Sequence, residues 1–200
     1  MAKSRRLIQL QSRINFLENN ILPKERILGN YTKKENDLIR SYVLLVHAEI
    51  EAYFEDRAKE KANYALVKWV SIRKKSSCLK SILAFAGNDI SYEGIKKSDS
   101  NNIEFRINKA VTHFINLINK NNGVKQNNIL NIIIPLGIEL YEIDNTWLSV
   151  MDTFGSIRGN IAHSSLRVQN QIDRNTERDR VNLHILPEIE RLDALIKKLD

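Results

Sequence analysis

A chain of 200 residues is long enough for one domain with a real core, and its hydrophobic share of 42% is ordinary for a folded protein. With 7 Gly and 3 Pro it lacks the breakers of a turn-rich sheet protein, its lone Cys78 excludes an internal disulfide, and its 4 His show no zinc-ligand spacing. The formal net charge of +7 suits a polyanionic partner such as nucleic acid.

In chain order, Leu7, Leu10, Ile14, Leu17 and Ile21 recur at steps of three and four and predict a first helix from Ser4 to about Leu22, ended by Pro23. Residues 1–30 read as a helical extension of a single 1–200 domain, with a dimer or partner interface as one role for it. Thr32 followed by Glu35 has the spacing of a capping box. The helix it opens carries Leu38, Tyr42, Leu45, Glu49, Ala52 and Tyr53, runs past Ala65 and, with Val43, Val46, Ile50 and Phe54, should be buried on a broad face. From Arg57 to Lys80 there are eight basic residues and one acid. That stretch is either a solvated helix face or one that tracks phosphates.

A shorter helix follows from Ser76 to Ala86, then a break at Gly87-Asn88-Asp89 and a polar loop from Gly94 to Asn102. Ile107, Val111, Phe114 or Ile115, and Ile118 mark a helix from Ile103 to Ile118. Asn119 to Asn128 is an Asn-rich turn around Gly123, and Asn128 to Ile138 reads as a short helix ending at Pro135 rather than a strand. Asp144, Asn145 or Thr146 can cap a helix from about Thr146 to Ala162. Ser164 to Arg180 reads as a charged loop, and Pro187 as the first turn of a last helix. The fold expected is an all-α bundle of about five to seven helices. No apolar run approaches the length of a membrane span, and the N-terminus lacks the apolar core of a signal peptide, so a cytoplasmic protein is expected.

The segment Arg158-Gly159-Asn160-Ile161-Ala162-His163 carries the chemistry. Arg158 can bind a phosphate and stays charged at any relevant pH; His163 can exchange a proton near neutrality. RNA supplies its own nucleophile, the 2′-hydroxyl, so these two groups suffice for cleavage without metal or cofactor. His163 would take the hydroxyl proton, and Arg158 would bind the nonbridging oxygens as charge builds on them. Asn160 could orient His163 or donate to a phosphate, with Ser156 and Ser164 as polar helpers. Taken alone, the spacing better suits a surface cation and a histidine at a helix C-terminus. On a regular helix Arg158 and His163 lie about 140° apart, so one compact site needs either a helix that ends or kinks near Gly159, or two copies of the segment facing each other across a two-fold axis.

The stretch from Leu148 to Ser165 resembles the signature of the HEPN superfamily, and Tyr42-Val-Leu-Leu-Val-His-Ala-Glu-Ile-Glu-Ala-Tyr53 is similar to the early helix of its RiboL-PSP type. The resemblance implies a helical bundle, a homodimer, RNA as substrate, and a metal-independent endoribonuclease site with Arg158 as phosphate binder and His163 as proton-transfer residue. It implies a toxin, a phage-defence effector or an RNA-processing enzyme, with an antitoxin or activating protein as a further partner. Two departures stand out. Gly159 follows the arginine where many members have Asn, Asp or His, which leaves a non-catalytic RNA- or protein-binding module as the alternative. Ser165 stands where one subgroup has a tyrosine modified by a partner nucleotidyltransferase. Among other residues, His47 and Glu51 share a helix face and could support the site if that helix packs beside the motif helix; a local polar contact is the plainer reading. Trp69 and Trp147 could stack bases or fill the core, Cys78 reads as a small buried residue, and His113 and His184 have no recognisable role.

Overall fold

In the computed structural model, residues 2–27, 29–87, 103–163 and 171–199 are described, the side chain of His163 excepted. Helix starts follow the side chains that can take up free N–H groups. Ser4 accepts from Leu7 N–H to open α1 (Arg5–Asn20), and Ser76 accepts from Leu79 N–H to open α3 (Ser77–Ala86). Thr32 and Glu35 form the expected capping box of α2 (Lys33–Ile72). Then come α4 (Ile103–Asn119) and α5 (Gln126–Ile133), which runs into a tight 3-10 turn through Pro135. The segment read as strand-like but assigned to a short helix is therefore helical. Of the three candidate caps for α6 (Asn145–His163), Asp144 serves, accepting from Thr146 and Trp147 N–H. No strand occurs among the described residues, as an all-α bundle requires.

The 40-residue α2 is the axis of the bundle. Its buried residues, from Ile39 through Tyr53 to Ala65, lie on several sides, and α1, α3, α4, α5 and α6 all pack on it. It stops at Arg73, which adopts the left-handed conformation and whose N–H bonds to the Trp69 carbonyl. Leu7, Leu10, Ile14 and Leu17 of α1 are fully buried in the same core. A buried carboxylate ties three elements together. Asp193 accepts from the Ser4 N–H, the Tyr53 hydroxyl and Arg57 Nε at 2.9–3.0 Å. Burial pushes its pKa up, but the bonds from Ser4 and the Arg57 charge outweigh this and hold it below the usual carboxylate range. Arg57 and Lys61 are thus interior residues, and the basic stretch is not one continuous phosphate-facing surface.

The charged loop expected from Ser164 to Arg180 is corrected over its last part. Its first residues, and the expected loop at Gly94 to Asn102, lie outside the described residues. From Arg174 the chain is helical: α7 (Arg174–Asp179) leads through a π-helical segment (Arg180–Ile185) into α8 (Leu186–Lys198). Asp173 caps α7 by accepting from Thr176 N–H. Charged residues disguise this start because they are the buried ones: Arg174 donates to the Pro23 carbonyl, and buried Glu177 pairs with Arg180. Pro187 stands in the first turn of α8 as expected, with the π-helical segment running directly into it. The wider π turn beneath it accommodates a ring that would otherwise collide with a carbonyl of the preceding turn.

Candidate functional site

The site forms where α2 crosses α6. The rings of His47 and Phe154 stack at 5.9 Å, and those of Phe54 and Trp147 meet at 6.2 Å. Residue numbers rise along one helix as they fall along the other, so the two run antiparallel. Arg158, one turn beyond Phe154, lines the same cavity as His47, and its charge acts on that imidazole. Glu51, one turn along α2, has Oε2 3.7 Å from His47 Nδ1. The packing that would let His47 and Glu51 support the motif helix is therefore present.

The turn between α4 and α5 closes the third side. Glu51 accepts from Gly123 N–H, and Asp152 of α6 accepts from Gln126 N–H at 2.7 Å. Asn121 donates to the Gly123 carbonyl and accepts from the Asn128 amide. Gly123 has φ +121°, a conformation that side chains resist, so glycine permits this fold of the turn. The result is an open cavity of about 420 Å³ lined by Arg158, Asn160 and Ser156 on α6, His47 on α2, and Lys125 and Asn128 from the turn.

Arg158 and Lys125 bring positive charge, and among the described residues no carboxylate lines the cavity itself, Glu51 standing behind His47 and Gly123. His47 is 2% exposed, and burial, then the Arg158 charge, pushes its pKa down to about 4. The imidazole is neutral at physiological pH and adds polarity without charge. Amides and a hydroxyl complete a lining that can donate to an anion. No cluster of metal-ligating side chains occurs among the described residues.

Arg158 and Asn160 thus face one cavity, and Asn160 and Ser156 are exposed enough to meet a ligand. His163 is the last residue of α6; its side chain, like Ser164, lies outside what is described. The helix continues through Gly159 rather than ending there, so the first of the two ways to unite Arg158 and His163 by ending the helix is not used. Trp147 is core, 3% exposed, and Trp69 packs partly buried beneath Arg73. Cys78 is buried, and its thiol pKa is raised to about 11 by burial, so it is not a nucleophile at neutral pH. Lys125 and Asn128 carried no recognisable signal in the sequence. Their place depends on a turn folded back onto α2 and α6, and the one hint is Gly155, a small residue one turn before Arg158.

A larger, more apolar cavity of about 530 Å³ lies between α3, α4 and α5, away from Arg158. No described helix is long and apolar enough to cross a membrane. The RiboL-PSP-HEPN family profile matches residues 5–197. No curated protein and no solved structure matches the chain.

Proposed function

The chain belongs to the RiboL-PSP-HEPN family, and from that membership we propose that it is a metal-independent endoribonuclease that works as a homodimer. The observation that carries the reading is the cavity whose described charged lining residues are the cations Arg158 and Lys125, with Arg158 of the family motif near a buried neutral imidazole. Arg158 holds the nonbridging oxygens of the scissile phosphate. His163 takes the 2′-hydroxyl proton, the freed oxygen bonds to phosphorus, and the bond from phosphorus to the 5′-oxygen breaks. That oxygen leaves as a hydroxyl after gaining a proton from water. The products carry a 2′,3′-cyclic phosphate and a 5′-hydroxyl. Asn160 donates to the phosphate or steadies His163. DNA has no 2′-hydroxyl and is not cut. Cleavage that halts translation fits a toxin or a phage-defence effector, held in check or switched on by a partner protein.

The test is end-labelled RNA incubated with purified protein in EDTA, beside Arg158→Ala and His163→Ala. Wild type should release cyclic-phosphate ends, and each variant should be slower by about 10²–10⁴-fold. A folded dimer that binds RNA without cutting it, indifferent to Arg158→Ala, would instead establish a non-catalytic binding module, the reading that Gly159 behind the arginine favours. Equal cleavage by all three proteins would remove Arg158 and His163 from the site.

A further inference from the structure

Lys125 reaches the cavity because a neighbouring side chain is missing. A Cβ added to Gly155 would stand 2.7 Å from Lys125 Cγ and 3.5 Å from the Lys125 backbone nitrogen. The Lys125 stem therefore lies directly on the backbone of α6, one turn before Arg158. Its own backbone is pinned on both sides, at Gly123 by Glu51 and at Gln126 by Asp152. Within the described residues neither Lys125 nor Arg158 makes an ion pair with a carboxylate, and both line the same cavity. Arg57, by contrast, is paired with Asp193, and Arg73 with Glu104. Two uncompensated cations brought together cost electrostatic energy unless an anion joins them. The neutral state of His47 keeps that cost from rising further.

We propose that Lys125 is a second RNA-phosphate-binding residue of this site, seated on Gly155 so that its ammonium and the Arg158 guanidinium serve one stretch of RNA backbone. This rests on the reading of the cavity as an RNA site. Lys125 holds charge against phosphate in ground state and transition state alike, so it contributes to binding rather than to the chemical step. Gly155 is the positioning residue: any side chain there lifts the lysine stem off the helix.

The experiment measures binding of a labelled single-stranded oligoribonucleotide across a salt series, in the His163→Ala background so that the probe survives. Lys125→Ala should weaken binding several-fold and flatten the dependence of log K on log salt by about 0.7, the loss of one phosphate contact on a single strand. Lys125→Arg should keep the slope. Gly155→Ala keeps the charge but moves it, and should reproduce much of the Lys125→Ala loss. In otherwise wild-type protein, Lys125→Ala should raise KM and leave kcat within about twofold. A folded Lys125→Ala protein with unchanged affinity and slope overturns the inference, even where wild type cuts RNA and the ribonuclease reading holds. A wild type that binds through Lys125 yet never cuts upholds the inference and sinks the nuclease. A wild type that binds no RNA sinks both.

Discussion

A histidine buried to 2% exposure beside a guanidinium cannot keep a proton at neutral pH, and that fact reaches beyond the cavity. The pKa of His47 falls from 6.5 to about 4 in the folded chain, with burial the larger cause and Arg158 the smaller. As pH drops below 6.5 the unfolded chain takes up the proton first, so acid favours unfolding. The stability tied to neutral His47 is complete above pH 6.5, declines between 6.5 and about 4, and is gone below that. The gap corresponds to about 3 kcal/mol. Urea unfolding from pH 7 to pH 4 should show wild type losing about that much more than His47→Gln, whose side chain does not titrate. Parallel curves for the two proteins would mean that His47 is hydrated or protonated in the fold. The pair of His47 and Glu51 was legible in the sequence from its spacing of four, because that is a local property of one helix. What they face was not, since it depends on the crossing of α2 and α6. Lys125 was illegible for the same reason at longer range.

Two glycines on α6 illustrate how one element answers to different constraints. Gly155 is in contact with Lys125, whereas a Cβ at Gly159 would meet nothing within 4 Å. Both lie inside a continuous helix, where glycine costs about 1 kcal/mol relative to alanine. Gly159→Ala should therefore raise stability by about 0.4–1 kcal/mol, seen as a higher denaturant midpoint at unchanged m-value. A lower midpoint would show that the backbone at Gly159 leaves helical geometry. Apolar repeats announced α1, α2, α4 and α6 because each buries a regular stripe against the bundle. They failed over Arg174–Ile185 because that stretch buries Arg174 and Glu177 beside Val181, and because its π turn breaks the 3.6-residue period on which the reading depends. Pro187 marks the first turn of the last α-helix as expected, but the π turn and α7 before it were not announced.

At the scale of the whole molecule, the unbroken α6 decides how Arg158 and His163 can cooperate. Positions five apart on a regular helix lie about 140° apart, so a helix that continues through Gly159 does not by itself put Arg158 and His163 on one face. Two-fold pairing removes the difficulty, because the guanidinium of one copy can meet the imidazole of the other. It also makes the proposed mechanism testable by mixing. Arg158→Ala and His163→Ala proteins should each be slow alone, by about 10²–10⁴-fold. After subunit exchange, a mixed dimer keeps an intact arginine on one chain and an intact histidine on the other, and cleavage should return to a substantial fraction of the wild-type rate. Exchange is verified separately with two differently tagged copies. Mixed dimers that form but stay slow would place both groups in one chain, and would require the backbone between Gly159 and His163 to swing His163 round toward the cavity of its own Arg158. Recovery in the mixture ties activity to assembly, so dilution below the dimer dissociation constant should extinguish cleavage at the point where the dimer disappears.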